Sequence, residues 1–122
     1  MSYDFLMMKP KGEVQSQDDR GEDTLDKQDP DSVVSVVWAL FPATIWSQER
    51  DGSWFGWLDG EDAWYEFLVG PASDHCWSIR TSHLTNERNL VPSICKSLDL
   101  VAFDGQAMII VGPDWRRPAL GQ

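Results

Sequence analysis

His75 and His83 are the chain's only histidines, and Cys76 and Cys95 its only cysteines, so acid–base or nucleophilic chemistry would have to come from very few groups. Asp74, His75 and Cys76 supply a carboxylate, an imidazole and a thiol in succession, the parts of an activated nucleophile. Neighbours on an extended strand point to opposite faces, however, so the ring of His75 cannot take the proton of Cys76 directly, and the run reads as coincidence. His83 stands among Arg80, Thr81, Ser82, Thr85, Asn86 and Glu87. The ordinary outcome of such a polar stretch is a capping network before a helix, and the alternative is a small ligand-binding or enzymatic pocket using His83, Arg80 and Glu87. Asp59, Glu61, Asp62 and Glu66 cluster around a turn, but they lack the alternating acids, central glycine and closing glutamate of a calcium loop. The cysteines form no CxxC pair, so neither a zinc site nor a disulfide framework can be read from them, and buried thiols are the expectation. No glycine-rich phosphate cradle follows an expected strand. The expectation is a non-enzymatic protein with no catalytic site, metal or cofactor.

The stronger signal is aromatic. Seven tryptophans occur in 122 residues, and five of them fall from Trp38 to Trp64, interleaved with acids. Trp54, Trp57 and Trp64 flank Asp59, Glu61, Asp62 and Glu66, and aromatic anchors ringed by charge match the anatomy of a binding hot spot. Core tryptophans beside solvated turn acids are the plainer alternative, and the two can coexist on opposite faces of one sheet.

Charge narrows the choice of partner. Twenty Asp and Glu against ten Lys and Arg give a net charge of -10, which repels phosphate backbones and anionic headgroups. Nucleic acid and membrane surfaces are therefore poor partners, and a basic protein is the natural complement. The apolar run near the N-terminus is shorter than a signal-peptide core and carries Asp4, and no stretch approaches a membrane span, so a cytoplasmic protein is expected. Exposed aromatic faces also make a homodimer possible.

These groups must be positioned by a single domain, since 122 residues suffice for one core. Residues 3–8 read as a first strand. Residues 11–28 hold six acids and few aliphatic anchors, and read as a flexible acidic loop. Asp29 and Pro30 suit the N-cap and first position of a helix, and Val33, Val34, Val37, Trp38, Leu40 and Phe41 recur at helical spacing as far as Pro42. Residues 44–48, 53–58, 63–69 and 76–81 read as a four-stranded meander with turns at Asp51-Gly52, Asp59-Gly60 and Gly70-Pro71. In its third strand Ala63, Tyr65, Phe67 and Val69 share one face, and Trp64, Glu66 and Leu68 the other. Val91, Ile94, Cys95 and Leu98 mark a second amphipathic helix with Pro92 in its first turn. Residues 100–111 read as a hairpin turning at Asp104-Gly105, and residues 112–122 as a C-terminal tail.

Met1-Ser2-Tyr3-Asp4-Phe5, Ala63-Trp64-Tyr65-Glu66-Phe67, Ser78-Ile79-Arg80-Thr81-Ser82-His83 and the ending Leu100-Val101-Ala102-Phe103-Asp104-Gly105-Gln106 resemble small bacterial proteins, some of them immunity proteins of polymorphic or contact-dependent toxin systems. The resemblance covers most of the chain after Asp29, leaves the acidic insert unmatched and transfers no catalytic residue. It implies a cytoplasmic α+β protein that neutralises a cognate toxin domain, and toxin nucleases are commonly basic because their substrate is a polyanion. The expected architecture is α+β, an antiparallel sheet of about five to seven strands with two helices packed on one face.

Overall fold

A computed structural model of the chain describes residues 3–10, 25–60, 63–71, 75–82, 90–104 and 109–111. Along them run β1 (Tyr3–Pro10), β2 (Leu25–Asp26), α1 (Pro30–Leu40), β3 (Ile45–Gln48), β4 (Trp54–Asp59), β5 (Trp64–Val69), β6 (Cys76–Thr81), α2 (Leu90–Leu98), β7 (Val101–Asp104) and β8 (Ile109–Val111). Seven strands lie side by side in the order β3, β4, β5, β6, β1, β7, β8, and β2 pairs with the end of β1. The pairings are antiparallel. The expected α+β architecture is thus the observed one.

β1 occupies the interior of the sheet, with β6 on one side and β7 on the other. Its Phe5, Leu6, Met7, Met8 run has no polar residue, as suits a strand covered on both faces. Phe5 and Met7 enter the main core, while Met8 is fully buried in a second, smaller cluster with Phe103, Leu6, Cys76 and Val101. The four-stranded meander from β3 to β6 follows the expected boundaries to within a residue.

Both helices cover the same face of the sheet. Val33, Val34 and Val37 of α1 and Leu90, Val91, Ile94 and Cys95 of α2 join Tyr65, Phe67, Trp77 and Ile79 in one cluster. α1 starts as expected, with Asp29 extended at the N-cap and Pro30 first in the helix. The Asp29 carboxylate accepts from the Ser32 hydroxyl at 2.8 Å instead of capping a backbone N–H. Trp38 and Leu40, expected within the apolar stripe, stay on the outer side of the helix at 49% and 38% exposure. α2 places Pro92 in its first turn, where no intrahelical N–H bond is lost. It stops at Asp99, whose φ of 58° allows the Leu100 N–H to reach the Cys95 carbonyl at 2.9 Å.

Two departures from the sequence reading are physical. Residues 25–28, the end of the stretch expected to be a flexible loop, are tied down: Leu25 and Asp26 pair with Pro10 and Lys9, and Gln28 bonds to three separate groups of β1 and the start of β6. Residues 11–24 and the expected tail at 112–122 lie outside the described residues. The last two strands pair as expected, but Asp104, expected to open the turn, belongs to β7 and pairs with Ile109, and residues 105–108 lie outside the described residues. Among the described residues no helix is long and apolar enough to cross a membrane.

Candidate functional site

Alternation along the meander decides which residues share a surface. In β5, Tyr65, Phe67 and Val69 are buried beneath the helices, and Trp64, Glu66 and Leu68 take the opposite, open face. Register carries that assignment across the sheet: Phe55, Trp57 and Asp59 lie opposite Leu68, Glu66 and Trp64, and Ile45 lies opposite Trp57. The open face therefore carries Ile45, Trp57, Asp59, Trp64, Glu66 and Leu68 together, with Ile45 71% exposed and Leu68 39% exposed.

Trp57 and Trp64 are diagonal neighbours on adjacent strands, and their rings stack with centroids 5.4 Å apart and planes 17° from parallel. Each is half-buried, so the pair is packed yet retains solvent-facing surface. Directly across from Trp57 is Glu66, and directly across from Trp64 is Asp59. Trp64 is anchored at its backbone, where its N–H donates to the Ser82 hydroxyl at 3.1 Å and its carbonyl accepts from the Ser82 N–H at 3.2 Å.

Trp54 does not join this group. It lies three residues before Trp57, an odd step that turns it to the helix-covered face, where it packs on the core and donates from Nε1 to Asp31 of α1 at 3.2 Å. Trp46 shares that face: its ring contacts Phe67 at 5.7 Å and Trp54 edge-on at 6.4 Å. Strand periodicity was the signal that separates Trp54 from Trp57. Glu61 and Asp62 lie outside the described residues.

Comparison with protein families, with curated proteins and with solved structures returned no match to this chain.

The remaining charges of the open face are already arranged. Arg80 stands directly opposite both Glu66 on β5 and Asp4 on β1, and its Nε donates to Asp4 Oδ1 at 3.0 Å. With both side chains about half exposed, that pair contributes at most ~1 kcal/mol, but it fixes where the cation lies. Of the three residues of the alternative pocket, Arg80 is engaged in this way, and His83 and Glu87 lie outside the described residues. Among the described residues no group of three His, Cys, Asp or Glu side chains could hold a metal ion.

Beside the tryptophan pair the open face runs into a groove of about 440 Å³, whose walls include Leu6, Phe55, Leu68 and Ser78, with Glu49 and Cys76. The sequence reading missed this groove. It forms because β1, distant in sequence, lines up against β6, so that Leu6 lies opposite Ser78 and Ser78 opposite Leu68. Cys95 is fully buried, and that burial pushes its thiol from an ordinary 9.0 up to about 12.

Proposed function

We propose that this chain is a non-enzymatic binding protein that docks a basic protein partner on the open face of its sheet, through Trp57, Trp64, Asp59 and Glu66. The observation that carries the reading is the stacked Trp57–Trp64 pair with a carboxylate directly across from each ring, on a face that neither helix covers. Aromatic residues are costly to leave half wet and rewarding to bury at a contact. A net charge of -10 favours encounter with a basic surface and penalises acidic ones.

The resemblance to immunity proteins gives the partner a class, a bacterial toxin domain neutralised in the cytoplasm. An immunity protein needs fast, tight binding and no chemistry of its own, and an acidic aromatic surface meets that need. Placed over a basic substrate groove, such a surface would occupy the ground that phosphate takes.

Co-expression tests the reading. The product of the neighbouring gene is expressed with and without this chain, and viability and co-purification are recorded. Toxicity alone, rescue together and a stable complex are expected; a partner that is neither toxic nor bound would overturn it. Sedimentation over a range of concentrations separates this outcome from pairing of the chain with a second copy of itself.

A further inference from the structure

The charges around the tryptophan pair point to a narrower ligand than a basic surface in general. Among the described residues Glu66 and Asp59 make no side-chain hydrogen bond or ion pair, although Arg80 stands directly across from Glu66, because that guanidinium turns to Asp4 on its other side. The indole N–H groups of Trp57 and Trp64 likewise have no partner among the described residues, in contrast to those of Trp38, Trp54 and Trp77. Two stacked rings and two carboxylates without a partner among the described residues thus lie on one open face, with the Arg80 guanidinium held by Asp4.

Resting on the reading of this face as an interface, we infer that the Trp57–Trp64 pair is a seat for an arginine side chain of the partner, with Glu66, directly across from Trp57, accepting from its guanidinium. The guanidinium is planar, weakly hydrated and able to lie flat on an indole while its N–H groups stay free in the plane. A ring from one strand and a carboxylate on the next are the two things that such a group binds at once, and cross-strand neighbours are close enough to share one guanidinium. A lysine ammonium is a compact, strongly hydrated charge that gains the carboxylate but little from the flat ring. The seat therefore discriminates between two cations of equal charge.

The test uses Nα-acetyl-arginine amide and Nα-acetyl-lysine amide as probes against the full chain, followed through the indole ¹H–¹⁵N resonances. The expected result is a saturable millimolar shift at Trp57 and Trp64 but not at buried Trp77, about threefold or more tighter for the arginine probe, as the worth of one exposed cation–π contact implies. Glu66→Gln should weaken it while leaving the fold, read from the Trp77 resonance, unchanged. Equal response to both probes, or no shift at Trp57 and Trp64, would overturn the seat. Because the probes need no protein partner, the two readings fail separately. Arginine binding without any complex in co-expression overturns the interface; a complex indifferent to Trp57→Ala and Trp64→Ala overturns the seat.

Discussion

The indole Nε1 of Trp77 donates to the side-chain oxygen of Gln28 at 2.8 Å, joining residues 49 apart in sequence. The amide nitrogen of Gln28 donates in turn to the carbonyls of Met7 and His75, at 3.3 and 3.2 Å. One half-buried side chain thereby fastens the segment entering α1 to β1 and to the residue preceding β6, and satisfies a tryptophan that is only 4% exposed.

Gln28→Ala should therefore destabilise the protein by about 1–3 kcal/mol, the cost of leaving the N–H of Trp77 buried without an acceptor. Denaturant unfolding measures the loss. Limited proteolysis should also show earlier cleavage near residue 28, because the segment loses its tie to β1.

Gly56 is the seat of the Trp46 ring: a Cβ at position 56 would come within 2.8 Å of that ring, directly across the β3 and β4 pairing. Gly56→Ala should cost about 1–3 kcal/mol through overpacking, since the ring is also held by Phe67 and Trp54 and cannot withdraw freely. A thermal melt of the variant checks this. Unaltered stability would mean that the Trp46 ring moves aside without cost.

Asp99 ends α2 with a positive φ of 58°, a conformation that glycine adopts without a steric penalty. Asp99→Gly should stabilise by up to ~1 kcal/mol, seen as a rise in the denaturant midpoint with an unchanged slope.

The buried thiol of Cys95 gives a pH dependence with a defined sign. Its pKa is raised by burial from 9.0 in the ordinary case to about 12, so the unfolded chain loses this proton first as pH rises. The stability linked to this group is complete below about pH 9 and declines toward pH 12, by at most ~1.4 kcal/mol per pH unit. Comparing the unfolding free energy of the protein with that of Cys95→Ala at several alkaline pH values isolates this slope. In the native state a thiol reagent at mild pH should modify half-buried Cys76 well before Cys95.

Much of the architecture could be read directly from residue patterns. The alternation of Trp64, Tyr65, Glu66, Phe67, Leu68 and Val69 set both faces of β5, and Asp29, Pro30 and Pro42 bracketed α1. The position of β1 could not be read in this way, because the partners of Phe5 and Met7 are set by pairings with residues seventy or more positions away. The same long-range pairing creates the groove beside Leu6. Gln28 was hidden for a related reason: it sits in an acidic stretch whose composition argues for mobility, and its partners Met7, His75 and Trp77 are all distant in sequence. Trp54 was grouped with Trp57 by proximity in sequence, although the odd step between them places the two rings on opposite faces.

The central claim is that the open face, and not the helix surface, meets a basic partner. The most direct measurement is the affinity of the co-purified complex, by titration calorimetry at about 50 and about 500 mM salt, a change that shortens the Debye length roughly threefold. It compares the protein with the charge-reversed variant Asp59→Lys/Glu66→Lys and with Trp38→Ala on the exposed side of α1. The predicted result is binding that weakens with salt, a loss of about tenfold or more (~1.4 kcal/mol) with a flattened salt dependence for the charge-reversed protein, and no change for Trp38→Ala. Affinity that is indifferent to salt and to charge reversal, but lost with Trp38→Ala, would contradict the account and move the interface to the helices.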